Sequence, residues 1–329
     1  MQDNVTIPDS LVDEILAEET ASCDLITASN ARAVICGALD SYRFLYESIE
    51  PFLSTFDSPK LLEIGSGNGL SLCYMLKRGV DARGVEPGEG SFSGRFGRAL
   101  RVLEANGIED RQQRLLSATA EHLPFPDLSF DMVVSTAVLE HVQNVENAVR
   151  EAVRVTRPGG LIVMSMPNYN SFYEGHYRML WLPYVLKEKP WARWYVGTLR
   201  RRPVAFLDEL NFTTPRWLAR LGDALPDIEK TDTYYGAFSR LGHLTAMHRA
   251  LALRLYEKFG RLAPVARAPV VGSAMLAASR IATQVLAGLG LCPVFTVVFH
   301  KGPPLAQRAA MESDSSASSG HATVYPLQP

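Results

Sequence analysis

The residues best suited to chemistry begin at Glu63, in the run Glu63–Ile64–Gly65–Ser66–Gly67–Asn68–Gly69. Glycines at alternate positions let the backbone turn sharply and let a ligand approach its N–H groups closely. The spacing is G-x-G-x-G rather than the G-x-G-x-x-G of dinucleotide-binding turns, and an acid stands two positions before the first glycine. Further on, Gly84–Val85–Glu86–Pro87 places a carboxylate where a strand should end, and a carboxylate can accept two hydrogen bonds from a ribose diol. Each feature has a plainer reading, as a tight turn or an exposed strand-end acid; together they point to a nucleotide-like ligand. A second set lies downstream. Glu174 can orient His176 as a general base, or the two can simply clamp an irregular loop. His141 offers a similar choice, between direct base and helix-start packing or cofactor positioning. One local Glu and one local His do not make a metal site, so none is expected.

These residues need elements to position them. From Lys60 to Met166 short apolar strands (LLEI, VDARGVE, RLLSA, FDMVVST, LIVMSM) alternate with amphipathic helical stretches. That alternation predicts an α/β fold of the doubly wound, Rossmann-like kind, with a mostly parallel sheet whose ligand site lies at the carboxyl ends of the strands. Residues from Asp9 to about Phe56 have helical spacing, broken at Pro51 and Pro59. After Pro167 the composition changes: five of the twelve tyrosines and three of the four tryptophans fall between Tyr169 and Tyr195. A helix over about Thr214–Leu225 and strands near Ile228–Tyr235 and Val294–Phe299 follow, the last two expected to complete the sheet around a helical insertion. The organisation expected is therefore N-terminal helices over 1–58, the ligand-binding core over 59–168, an aromatic acceptor-side cap over 169–226, final strands with a helical insertion over 227–302, and a disordered tail over 303–329.

Four ordered motifs, LLEIGSGNG, GVEP, AEHLPFPDLSFDMVVSTAVLEHV and RVTRPGGLIVMSMPN, give the stretch from Lys60 to Asn168 a resemblance to the class I S-adenosylmethionine methyltransferases, especially the ubiquinone-biosynthesis type. The resemblance implies S-adenosylmethionine as cofactor. It sets Gly65, Ser66, Gly67 and Gly69 against the methionine and adenosine portions, Glu63 near the methionine ammonium and Glu86 on the ribose hydroxyls. Thr119, Ala120 and Glu121 fall where the adenine is met, with Thr119 in place of the family's usual Asp, and Ser135 to Val138 would line the pocket. An uncharged hydroxyl in place of that carboxylate forgoes charge assistance worth very roughly 1 kcal/mol. His176, Glu174 and His141 are the catalytic candidates for an acceptor bound beyond the fifth strand.

The formal net charge of −2 gives no global drive toward nucleic acid. Cys23, Cys36, Cys73 and Cys292 form no CxxC pair and read as reduced thiols of a cytoplasmic protein. The amino terminus lacks the basic start and apolar run of a secretory signal. Ala268–Phe299 carries one charge, Arg280, yet Pro293 divides it into an apolar helix, about Val270–Leu289, and a buried strand, which argues against a membrane span. The acceptor expected is a small molecule, lipid-linked or glycosylated, methylated at oxygen, with carbon and nitrogen as open alternatives and peripheral membrane contact left open. Arg200, Arg201 and Arg202 either bind anionic groups or form a solvated surface. The competing readings are an RNA methyltransferase, a cofactor-binding regulator without catalysis, and an NAD-dependent oxidoreductase, the last disfavoured by the glycine spacing.

Overall fold

The computed structural model describes residues 5–22, 31–89, 93–177, 179–183, 185–186, 188–235, 285–286 and 288–303 of the 329-residue chain. Helices α1 (Asp9–Ser22) and α2 (Ala31–Leu53) precede β1 (Lys60–Ile64). Then come α3 (Leu70–Lys77), β2 (Asp81–Glu86), α4 (Ser93–Ala105), the single turn α5 (Arg111–Arg114), β3 (Leu115–Ser117), β4 (Phe130–Thr136), α6 (Val145–Val155) and β5 (Thr156–Pro167). The cap contains a two-residue-strand hairpin, β6 (Tyr173–Glu174) and β7 (Met179–Leu180), then α7 (Lys189–Trp194), a π-helical turn (Tyr195–Leu199), α8 (Ala205–Asp208) and α9 (Pro215–Asp223). Strands β8 (Ile228–Tyr235) and β9 (Val294–Lys301) end the described chain.

The main sheet has seven strands in the order β3–β2–β1–β4–β5–β9–β8. All pairs from β3 to β5 are parallel, whereas β9 runs antiparallel to both β5 and β8. The expected mostly parallel sheet, closed by the two late strands, is what forms. The strand over Val294–Lys301 lies inside it, and no helix among the described residues is long and apolar enough to cross a membrane. The apolar helix expected from about Val270 falls almost wholly outside the described residues, as do the insertion before it and the tail.

Burial follows the pleat. Leu61, Met132, Val134, Leu161, Val163 and Val298 face one core with α1–α4, while Leu62, Ile64, Val133, Ile162, Met164, Val297 and Phe299 face a second with α6 and α9. Both faces are thus covered, which is why Met132–Val134 of β4 and Leu161–Met164 of β5 read as apolar runs. Helix α6 buries Val145, Ala148, Val149, Ala152, Val153 and Val155 on one side, and Asn144 caps it by accepting the Asn147 N–H at 3.0 Å. At the opposite end of the strands, buried Asp131 accepts from Lys60 N (2.9 Å) and from Arg157 Nη1 (2.8 and 2.9 Å), tying together the starts of β1, β4 and β5. The cap has a core of its own around Tyr169, Tyr177, Trp181, Tyr195 and Leu207. Cys73 and Cys292 are buried free thiols; Cys23 and the Cys36 side chain fall outside the described residues.

Candidate active site

The sheet register brings the first group together. Glu63 pairs beside Gly84, Ile64 lies between Val85 and Ser135, and Glu86 ends β2, so Glu63, Glu86 and Ser135 converge at the carboxyl ends of three neighbouring strands. The chain reverses its direction of winding between β1 and β4, the place where doubly wound sheets open a crevice. Gly65, Gly67 and Gly69 have φ of 75°, 54° and 76°, left-handed values that suit glycine. A Cβ on Gly65 would lie 2.2 Å from Val138 Cγ2, whereas one on Gly67 would meet nothing within 4 Å. The loop is therefore packed against the β4–α6 connection at Gly65 and open at Gly67. Gly67 N–H donates to Glu86 Oε2 at 2.8 Å, which fixes the acid at the loop.

Glu63 is buried with Oε2 lacking any partner, and burial pushes its carboxyl up to about 7, only partly offset by the Ser71 and Ser66 hydroxyls beside it. Ser135 Oγ is likewise buried and unpartnered. Orphaned acceptors of this kind cost free energy until a donor or cation arrives. Thr119 is exposed and Ala120 packs into the second core. Glu121 Oε1 accepts from Gln143 N (2.7 Å) and Asn144 N (3.2 Å), bracing the entry to α6.

One turn of chain, with His141 N–H donating to Val138 O at 2.8 Å, joins the glycine loop to the second group. His176 Nδ1 and Glu174 Oε1 are 2.8 Å apart, and Tyr177 N–H donates to Glu174 Oε2 at 2.6 Å, so the acid–imidazole pair is formed and locked. The His141 and His176 rings meet edge to face at 5.1 Å, with Phe206 of α8 at 5.5 and 5.3 Å. Beside them lies Glu140, fully buried, with neither carboxylate oxygen bonded and Oε1 3.9 Å from His176 Nε2. Sequence reasoning passed over Glu140; its signal was an acid inside the apolar run Ala137–Val142, next to a histidine already singled out. Asn211 holds this stretch, its N–H donating to Glu140 O (2.7 Å) and its Nδ2 to Leu139 O (3.2 Å) and Val142 O (2.6 Å).

Glu140, His141 and His176 are driven apart. Burial pushes Glu140 up to about 7, and burial, with His176 and Arg95, pushes His141 down to about 3. Burial also opposes a charge on His176, but the hydrogen bond and charge of Glu174 and the charge of Glu140 outweigh it and raise that imidazole. Two histidines 5.1 Å apart thus have opposite preferences, one held neutral and one made a stronger base. A groove of about 680 Å³, lined by Asn144, Lys189, Asn211, Phe212 and Trp217 among others, includes none of Glu140, His141, Glu174 and His176.

Residues 62–164 match the model of the methyltransferase domain family. This stretch is a class I S-adenosylmethionine-dependent methyltransferase domain. The chain is 34% identical over 116 residues to an uncharacterized methyltransferase of Mycobacterium sp. (strain JLS), covering 35% of this chain and 42% of that one. It is 32% identical over 111 residues to the ubiquinone biosynthesis O-methyltransferase of Pseudomonas aeruginosa (strain UCBPP-PA14), covering 34% and 45%. The chain spans less than half the length of these curated relatives. Among solved structures it is similar to a putative sarcosine dimethylglycine methyltransferase from Galdieria sulphuraria, at 13% identity and a TM-score of 0.47, covering 80% of this chain and 85% of that one. The cofactor of the domain is S-adenosylmethionine, and the residues present fit it: buried Glu63 lacks the cation an ammonium would supply, Glu86 is fixed at the strand end, and Gly67 has open space above it.

Proposed function

We propose that the chain transfers a methyl group from S-adenosylmethionine to an oxygen of a small, amphipathic or lipid-linked acceptor, held between the cap and the carboxyl ends of β4 and β5. When bound, the cofactor supplies an electrophilic methyl carbon on a positively charged sulfur that leaves as a neutral thioether. Glu63 would hold its ammonium, Glu86 its ribose, and the 65–69 turn its backbone-facing edge. What this chain must add is alignment of the nucleophile and, for a hydroxyl, removal of a proton. The Glu174–His176 pair, already bonded at 2.8 Å and one turn from the glycine loop through Val138 and His141, is the observation that carries the reading. Glu174 keeps the proton on Nδ1, so Nε2 is the basic nitrogen; the charges of Glu174 and Glu140 strengthen it.

The exposed surface of the cap supports an amphipathic acceptor. From Lys189 to Arg202 there are five cations and no acid, interleaved with exposed Trp191, Trp194 and Leu199. Such a surface meets its acceptor at an anionic membrane face. The test of the transfer itself is a single-turnover assay with methyl-labelled cofactor. His176→Ala should lose roughly a hundredfold or more in rate with cofactor affinity nearly intact, and Glu174→Gln should lose less, because general-base assistance contributes roughly 10²–10⁴. Wild-type turnover in His176→Ala would leave the pair with a structural role only.

A further inference from the structure

Glu140 is sealed from solvent, and neither of its oxygens has a hydrogen-bond partner. A buried carboxylate in that condition is unfavourable until a cation or donor is supplied, and native proteins rarely leave one so. Its neighbours are two imidazoles. His176 Nε2 lies 3.9 Å from Glu140 Oε1, and one ligand atom from each of Glu140, His141 and His176 falls within 4.8 Å of the other two. Behind His176, the Glu174 carboxylate takes Nδ1 at 2.8 Å and is itself held by the Tyr177 N–H at 2.6 Å. A carboxylate on the far nitrogen is the device that fixes the tautomer and ring plane of a metal-binding histidine. The candidate ligands come from two stretches, adjacent Glu140 and His141 from the β4–α6 connection and His176 from the β6–β7 hairpin, so it is the fold that brings His176 to the other two.

We propose that Glu140, His141 and His176 bind one divalent first-row transition ion, with Glu174 orienting His176. Two nitrogens and one carboxylate oxygen suit Zn²⁺, Co²⁺ or Mn²⁺; Mg²⁺ and Ca²⁺ take oxygen-rich sites. Metal–ligand bonds of about 2.0–2.1 Å put neighbouring tetrahedral donors a little over 3 Å apart, so the 3.9 Å Glu140–His176 separation has to shorten by less than an ångström and the other pairs, all within 4.8 Å, by about 1.5 Å at most. Three protein ligands leave a position open, as catalytic metal sites do. The proposal rests on the acceptor-site reading and deepens it. An acceptor hydroxyl taken as the fourth ligand becomes more acidic: its O–H bond breaks, the proton passes to water and the electron pair stays on the oxygen that attacks the methyl carbon. In the loaded chain His176 is then a ligand, and its role as base belongs to the ion-free chain.

The full chain, stripped with a chelator, is titrated with ZnCl₂ by calorimetry and with CoCl₂ by visible absorption. The expected result is one ion per chain, with affinity at least about tenfold weaker in both Glu140→Gln and Glu174→Gln. Glu140→Gln keeps size and shape and removes only the anion. No ion bound by the wild-type chain, or equal affinity in wild type and both variants, overturns the proposal. Titration of the stripped chain with S-adenosylmethionine reads the methyltransferase assignment separately, since its failure would remove that assignment whatever the metal titration gave.

Discussion

At the scale of residues, the site is a set of acids whose surroundings decide their use. Glu86 is anchored by the Gly67 N–H at 2.8 Å, so one carboxylate both shapes the loop and faces the crevice. Glu86→Ala should weaken S-adenosylmethionine binding by about 1–3 kcal/mol, the cost of leaving buried polar partners unmet, as read by calorimetric titration; unchanged affinity would take Glu86 out of the site. Glu140 carries a pH signature. Its folded value is about 7 against an ordinary 4.5, so between those values the folded chain keeps a proton that the unfolded chain has lost. The stabilisation is present below about 4.5 and disappears as pH rises through about 7. In chelator-treated protein, the stability of Glu140→Gln relative to wild type should therefore improve by about 3 kcal/mol between about pH 4.5 and about pH 8, measured by urea unfolding. His141, held near 3, shifts both proteins alike, whereas His176 is raised in part by the charge of Glu140 and lowers it in turn, so the difference reads the Glu140–His176 pair. A flat difference would mean that Glu140 ionises normally.

At the scale of elements, close packing does what no single contact does. Gly222 of α9 lies against β9, where an added Cβ would come within 2.2 Å of Phe299 Cε1 and 2.4 Å of Cδ1. Phe299 is completely buried and has no room to withdraw. Gly222→Ala should therefore cost about 1–3 kcal/mol in chemical denaturation despite its better helix propensity, and a stabilised variant would show that α9 can move off the sheet. Of the five parallel strands, β1, β4 and β5 were legible because strands buried on both faces carry apolar runs, β2 and β3 by their place in the alternation, and the glycine turn because it follows the first of them. Apart from α9, expected over about Thr214–Leu225, the cap was legible only as composition. Two-residue strands and turns of four to six residues are too short for any hydrophobic period to show. Glu140 was missed because its neighbour His176 is brought to it by the hairpin after β5, a non-local contact with no trace in spacing.

At the scale of the whole molecule, the near-neutral chain conceals an uneven surface. The formal charge is −2, yet Lys189–Arg202 holds five cations and no acid, and within it Trp191, Trp194 and Leu199 are 59%, 53% and 60% exposed. Arg193 is engaged by Asp208 across the cap, which leaves the run as a mixture of braced and outward-facing cations around large apolar rings. Tryptophan and arginine together favour the boundary between headgroups and hydrocarbon, where the ring is buried and the charge stays hydrated. Each cation near an anionic surface contributes about 1 kcal/mol, and that contribution falls with salt. The chain should therefore co-sediment with vesicles containing phosphatidylglycerol, bind phosphatidylcholine vesicles far more weakly, and be released in large part by raised salt. Trp191→Ala combined with Trp194→Ala should weaken binding to the anionic vesicles by about tenfold or more, since two large apolar side chains no longer enter the interface. Equal binding to neutral and anionic vesicles, or full retention by the double variant, would show that the cap meets its acceptor in water.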